Sequence, residues 1–222
     1  MEISLTLALV LINGGLSLYA FSNPQVFSSL LFNPYMCKHH RQWYRVLTHA
    51  FIHGDWIHLF FNMFVLYQFG GLIEQIFTEE QVFKQLFPEL SFWGKSQGYL
   101  FLVLLYFGGL LAAVLPAFAK HSDNPAYNSV GASGAVSAVV LALIVLLPTM
   151  KLYLFFIPIG IPAFVLGIAY LIYEYVMSKR MSTGIAHDAH LWGGLFGLLL
   201  ILLFNWRFAI YFYFRVADYI GI

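Results

Sequence analysis

Charge is what this sequence has least of. Acidic and basic side chains make up 9% of its 222 residues, against about a quarter in ordinary soluble domains, while 61% of the chain is hydrophobic. That balance excludes a water-soluble globular domain and puts the chain in lipid. Neither sign dominates: eleven Lys/Arg and ten Asp/Glu leave a formal charge of +1, so nothing electrostatic points to nucleic acid or to a strongly acidic partner. Cysteine is nearly absent. The single Cys37 can make neither an internal disulfide nor a tetrahedral thiolate metal site, and packing and hydrogen bonds must hold the fold. A repeat period and low-complexity runs are also missing. The start lacks the basic residues of a secretory signal, since Met1-Glu2 carries no positive charge, and the first apolar stretch reads as a permanent anchor.

What is present is a series of apolar runs separated by polar connections. At about 20 residues per crossing plus a connection, the chain holds roughly six helices and no sizeable soluble domain. Spans are read at 3–20, 57–77, 98–118, 132–148, 151–177 and 189–206, within one domain covering 1–222. The expected fold is an all-α membrane bundle of six transmembrane helices with an interfacial first loop. The fourth span is short, and the fifth carries Pro158 and Pro162 early, where they should bend it. Between the first two spans, residues 21–47 interleave Phe and Tyr with Lys, His and Arg around Trp43-Tyr44-Arg45, the composition of a headgroup-layer anchor. The tail from Arg207 is aromatic, with a second cation at Arg215, and should lie along the surface. Six spans put both termini on one side, but six Lys/Arg in one set of loops against five in the other does not say which side.

Polar residues within spans are costly in lipid, so each is a candidate for function. His58 and Asn62, at i,i+4, share a helix face; alone they could be hydrogen-bonding glue between helices. Gly131-Ala132-Ser133-Gly134 opens the fourth span. A serine there has an uncrowded hydroxyl beside the free N–H groups of a helix start, which favour negative charge. A small-residue packing motif would give the same string. The sixth span opens with His190, followed by Gly193 and Gly197, and the fourth has its own stripe of Gly134, Ala138 and Ala142. Such stripes let two helices approach closely, which would bring His190 beside Ser133 as a base beside a nucleophile. His58 and Asn62 fall near the same end of the second span, where their N–H groups and that of Ser133 could stabilise an oxyanion. Asp188 precedes His190 by two residues, about 200° around a helix, and reads as an N-cap rather than a triad member. His49 and His53 read equally as ligands or as ties from the first loop to the second span, and His187 as a loop residue. Nearly all carboxylates fall in loops, with Glu74 and Glu174 at span ends, so no carboxylate is expected to complete a triad.

With these residues assembled, the sequence resembles the rhomboid family of intramembrane serine proteases in a minimal six-helix form. The resemblance rests on His53-x4-His58-x3-Asn62, Gly131-x-Ser133-Gly134 and Ala189-His190-x2-Gly193-x3-Gly197. It implies Ser133 as nucleophile and His190 as general base, a dyad cleaving transmembrane segments of membrane-protein substrates. It implies His58 and Asn62 in the oxyanion hole, a structural Glu74, and a cap over the site at 178–187. Cofactors, metals and nucleic acid are not expected. Localisation by resemblance is a bacterial-type inner or plasma membrane, active face extracytoplasmic. Two positions depart from the family pattern: Tyr44-Arg45 replaces a Trp-Arg pair, and Ser137 stands where relatives often have a tyrosine that stacks on the catalytic histidine. The rival readings are a non-catalytic rhomboid-like protein that binds membrane clients and a His-rich metal or haem protein.

Overall fold

The structure, a computed structural model, describes residues 4–153, 158–180 and 185–222. Helix α1 (Leu5–Phe21) leads into a first loop folded as α2 (Pro24–Leu30), α3 (Pro34–His40), α4 (Arg45–Thr48) and a 3₁₀ turn at His49–Phe51. Next, α5 (Trp56–Val65) and α6 (Gly71–Thr78) form one rod through a π turn at Leu66–Gly70. The chain continues through α7 (Glu80–Leu86), α8 (Lys95–His121), α9 (Ser133–Leu146), the strands β1 (Lys151–Leu152) and β2 (Ile161–Pro162), α10 (Ala163–Ser178), α11 (His187–Phe204) and α12 (Arg207–Ile220).

Among the described residues, Trp56–Thr78, Lys95–His121 and His187–Phe204 are long and apolar enough to cross a membrane, whereas Leu5–Phe21, Ser133–Leu146 and Ala163–Ser178 are apolar but shorter. All six expected segments therefore contain an apolar helix, three of them too short to count as a crossing by length. The short α9 is tolerable because it is the centre of the bundle. All but two of its 14 residues are buried, packed between α8 and α11, so protein rather than lipid satisfies its surface. The outer helices are apolar on both sides. Leu11 and Leu16 on α1, Leu104 and Leu115 on α8, and Leu199 and Leu203 on α11 are exposed, as a lipid-facing surface requires.

The fifth segment differs from expectation. Its helix begins at Ala163, not at Lys151; β1 and β2 pair antiparallel, Lys151 opposite Pro162. Proline disfavours the helical region for the residue before it, so Pro162 ends the strand instead of bending a helix, and the N–H groups of Ala163 and Phe164 donate to the carbonyls of Met150 and Pro148 at 2.9 Å each. The first loop is also less superficial than its composition suggests. Arg45 is buried, and its guanidinium donates to the carbonyls of Ser28 and Leu31 at 2.9 and 2.8 Å and to Oε1 of Gln42 at 2.6 Å, tying the loop together.

At the end of the bundle away from α9's first residue, Phe77, Phe83, Trp93, Phe101, Phe204 and Phe208 pack ring on ring, which pins α12 and the α6–α8 connection to the rods. Glu74 closes the bundle beside α1: its two carboxylate oxygens accept the N–H groups of Leu5 and Thr6 at 2.8 Å each, donors that a helix start leaves unpaired.

Candidate active site

The site is built from helix ends. The first turns of α5, α9 and α11 meet the last turns of α8 and α10 around an open cavity of about 1250 Å³, whose lining includes His58, Asn62, Ser133, Tyr170, Glu174 and His190. Ser133 is the first residue of α9, so the N–H groups of its turn have no intrahelical acceptor.

The strand of backbone before Ser133 is tied down on its far side. Gly131 has φ +109°, a left-handed conformation that costs L side chains dearly, and a Cβ there would come 2.5 Å from Cε1 of His58. Its N–H donates to the carbonyl of His49 at 2.9 Å, and the Ala132 N–H donates to Nε2 of His53 at 3.4 Å. That bond needs a lone pair at Nε2, so the His53 proton sits on Nδ1 and donates to Ser17 Oγ, 2.9 Å away; the Ser17 hydroxyl in turn donates to the Phe51 carbonyl at 3.2 Å. Thus His53 links α1 to the residue before the candidate nucleophile, and His49, whose Nδ1 meets the Arg45 carbonyl at 3.0 Å, supports the residue before that.

Burial pushes His53 down to about 3 and His49 to about 4 from the ordinary 6.5, with His58 adding to the effect at His53. In the unfolded chain both would bind a proton below about 6.5. Between there and their folded values the unfolded state holds more protons, so stability falls as pH falls. Each histidine should contribute a slope of up to about 1.4 kcal/mol per pH unit. A thermal unfolding midpoint measured in detergent should therefore drop from pH 6.5 toward 4, and less steeply in His53→Gln; a flat profile there would contradict this account.

The α9–α11 seam forms as the two stripes predict. A Cβ at Gly193 would collide with the carbonyl of Gly134, and one at Gly197 with that of Ala138, so the backbones touch directly. The approach brings Nε2 of His190 to 2.9 Å from Oγ of Ser133. On α5, Asp55 caps the helix by accepting the His58 N–H at 2.8 Å. Nδ1 of His58 faces the Gly54 N–H at 3.5 Å, which leaves Nε2 to carry its proton, next to Gly131. Asn62 Nδ2 donates one hydrogen to the His58 carbonyl at 2.9 Å and keeps a second.

Three expectations are corrected. Asp188 is not the N-cap of α11, which is Ala186; the helix begins at His187, so Asp188 already lies in its first turn and pairs with Lys120 at 2.5 Å. And a carboxylate does stand against the histidine. The antiparallel packing of α10 on α11 puts Oε1 of Glu174 3.1 Å from Nδ1 of His190 and its Oε2 2.6 Å from Nδ1 of His187. Glu174 and His187 are each 4% exposed, so His187 is a buried partner and not a loop residue. The signals available were an acid inside an apolar run and the i,i+3 spacing of His187 and His190, which shares a helix face. Ser137 bonds to the Ser133 carbonyl at 2.8 Å and to the Tyr170 hydroxyl at 2.6 Å. The expected cap at 178–187 includes residues 181–184, which lie outside the described residues.

Fold and site together define a helical integral membrane protein with a serine and a histidine in contact at the ends of two tightly packed helices. The chain matches the Rhomboid domain family over residues 40–207 and belongs to the rhomboid family. It is also similar to RHOMBOID-like protein 12, mitochondrial, of Arabidopsis thaliana, at 35% identity over 153 residues, 67% of this chain and 42% of that protein. The chain thus spans less than half the length of that relative. The relative's name places it in mitochondria, so the expected bacterial-type membrane gains no support from it; the assignment that stands is integral membrane protein.

Proposed function

We propose that this chain is an intramembrane serine endopeptidase acting on transmembrane segments of other membrane proteins. The observation that carries the reading is the 2.9 Å contact of Ser133 Oγ with Nε2 of His190, in a cavity reached from the loop side. Ser133 Oγ attacks the substrate carbonyl as its proton passes to Nε2 of His190. The oxyanion is met by the Ser133 N–H, Nε2–H of His58 and the spare hydrogen of Asn62. His190 gives the proton to the leaving amine as the C–N bond breaks. Water then attacks the ester, losing a proton to His190, which returns it to Ser133 Oγ. The substrate helix must unwind locally to present its carbonyl, which favours small or helix-breaking residues at the cleaved bond. In this reading all six apolar helices cross or fill the bilayer, both termini share one face, and Ser133 and His190 open to the other.

A fluorophosphonate probe tests the assignment without a known substrate. The purified protein should be labelled at Ser133, and labelling should vanish in His190→Ala. Failure of the native protein to react, combined with retained binding of single-span clients, would favour the non-catalytic client-binding reading.

A further inference from the structure

We infer that Glu174 is a positioning residue for His190, so that the site works as a Ser133–His190–Glu174 triad with His187 holding the carboxylate; this rests on the proposed hydrolytic function. The geometry allows one arrangement of protons. An ionised carboxylate only accepts, so the 2.6 and 3.1 Å contacts require Nδ1–H on both His187 and His190. With its proton on Nδ1, neutral His190 presents a lone pair at Nε2 toward the Ser133 hydroxyl, which is the tautomer a general base needs. Were Nδ1 unprotonated, Nε2–H would face Ser133 and could not take its proton.

The burial argues the same way. A carboxylate this enclosed is costly unless both oxygens are satisfied, and here each takes one imidazole N–H. If Glu174 served only to join α10 to α11, His187 alone would suffice. Instead Oε1 is spent on the one histidine that touches Ser133. His187, on the same helix face as His190, fixes the carboxylate's rotation so that Oε1 stays on His190. Ser137, one turn along α9 from Ser133, has no ring to lay against the imidazole, and its hydroxyl is taken up by Ser133 and Tyr170. The carboxylate is therefore the device that orients the base. During attack the proton moves from Ser133 Oγ to Nε2 and stops there; Glu174 stays ionised and offsets the charge of the imidazolium.

The test is the rate of fluorophosphonate labelling at Ser133 as a function of pH, in native protein, Glu174→Gln and Glu174→Asp. Gln keeps the size and one acceptor but removes the charge, and it can turn its amide N–H toward Nδ1 and select the wrong tautomer. Labelling of Glu174→Gln is expected to fall by roughly 10²–10⁴-fold. Its acid limb is expected to move to lower pH, because the imidazolium has lost its counter-charge, and Asp should restore part of the rate. Among the described residues, the other titratable groups around His190 and Glu174 include His187 and Asp188 on the helix of His190, Tyr170 on α10, His58 on α5 and Lys120 on α8; all are unchanged in these variants. An unshifted acid limb, or a rate loss that follows only the unfolding midpoint, would reduce Glu174 to a structural tie and overturn the inference. Because the ligand atoms of Glu174, His187 and His190 lie within 4.8 Å of one another, bound metal should be measured alongside: a stoichiometric metal ion lost in Glu174→Gln would also overturn it. Absence of labelling in the native protein would refute the proposed function itself, a separate result.

Discussion

Ser133→Ala should lower cleavage of single-span substrates in co-reconstituted vesicles by on the order of 10⁶-fold and leave the unfolding midpoint unchanged. The stability half of this follows from the contacts. Among the described residues the Ser133 side chain bonds only to Nε2 of His190, which faces a cavity open to water, so removing the hydroxyl strands no buried group among them. The bond that Ser137 makes is to the Ser133 backbone carbonyl and survives. The activity half follows from the unit nature of nucleophile and base: His190→Ala should lose a comparable factor, and the double variant should be no worse than either single one. Asn62→Ala, removing one oxyanion donor, belongs in between, at roughly 10²–10³-fold. Undiminished cleavage by Ser133→Ala would end the serine-protease reading, and additive losses in the double variant would mean that the two residues act separately.

Gly193→Leu should abolish labelling at Ser133 although it touches neither reacting group. Even a Cβ at this position would occupy the space of the Gly134 carbonyl, and Gly134 follows Ser133 directly. The carbonyl belongs to α9, whose other faces are buried against α8 and α10, so α11 must move away. Displacing reacting groups by about 1 Å can cost 10²-fold, and a leucine demands more than that. Overpacking should also cost about 3 kcal/mol or more of stability. Gly193→Ala should show a smaller loss of the same kind. Gly15→Leu is the control, because a Cβ on that glycine of α1 meets nothing within 4 Å; its labelling rate should match the native protein. Equal rates for Gly193→Leu and native protein would mean that the close seam does not set the Ser133–His190 distance.

Membership of the rhomboid family, the helical membrane character and the pairing of Ser133 with His190 were legible because each leaves a mark on local sequence. Low charge reports the solvent, glycine stripes at four-residue spacing report helices that touch, and a serine between glycines at a helix start reports an exposed hydroxyl. The fifth segment misled because a run of apolar residues reads alike whether it is strand or helix, and the effect of Pro162 depends on whether a helix has already begun when the chain reaches it. Arg45 misled for a related reason. Among aromatics a cation usually marks the headgroup layer, but here the carbonyls left at the end of one short loop helix, α2, turn toward it.

Glu174 marks the limit most clearly. By itself the sequence determined which helices carry polar groups and which faces are smooth enough to pack, since these depend on neighbours three and four residues apart. Only the tertiary structure decided that α10 lies antiparallel to α11 at a register that puts one carboxylate between His187 and His190, 13 and 16 residues further on. No local periodicity encodes that register. It is set by how α9, α10 and α11 fill space together, so the tautomer of the candidate base is a property of packing and not of any motif.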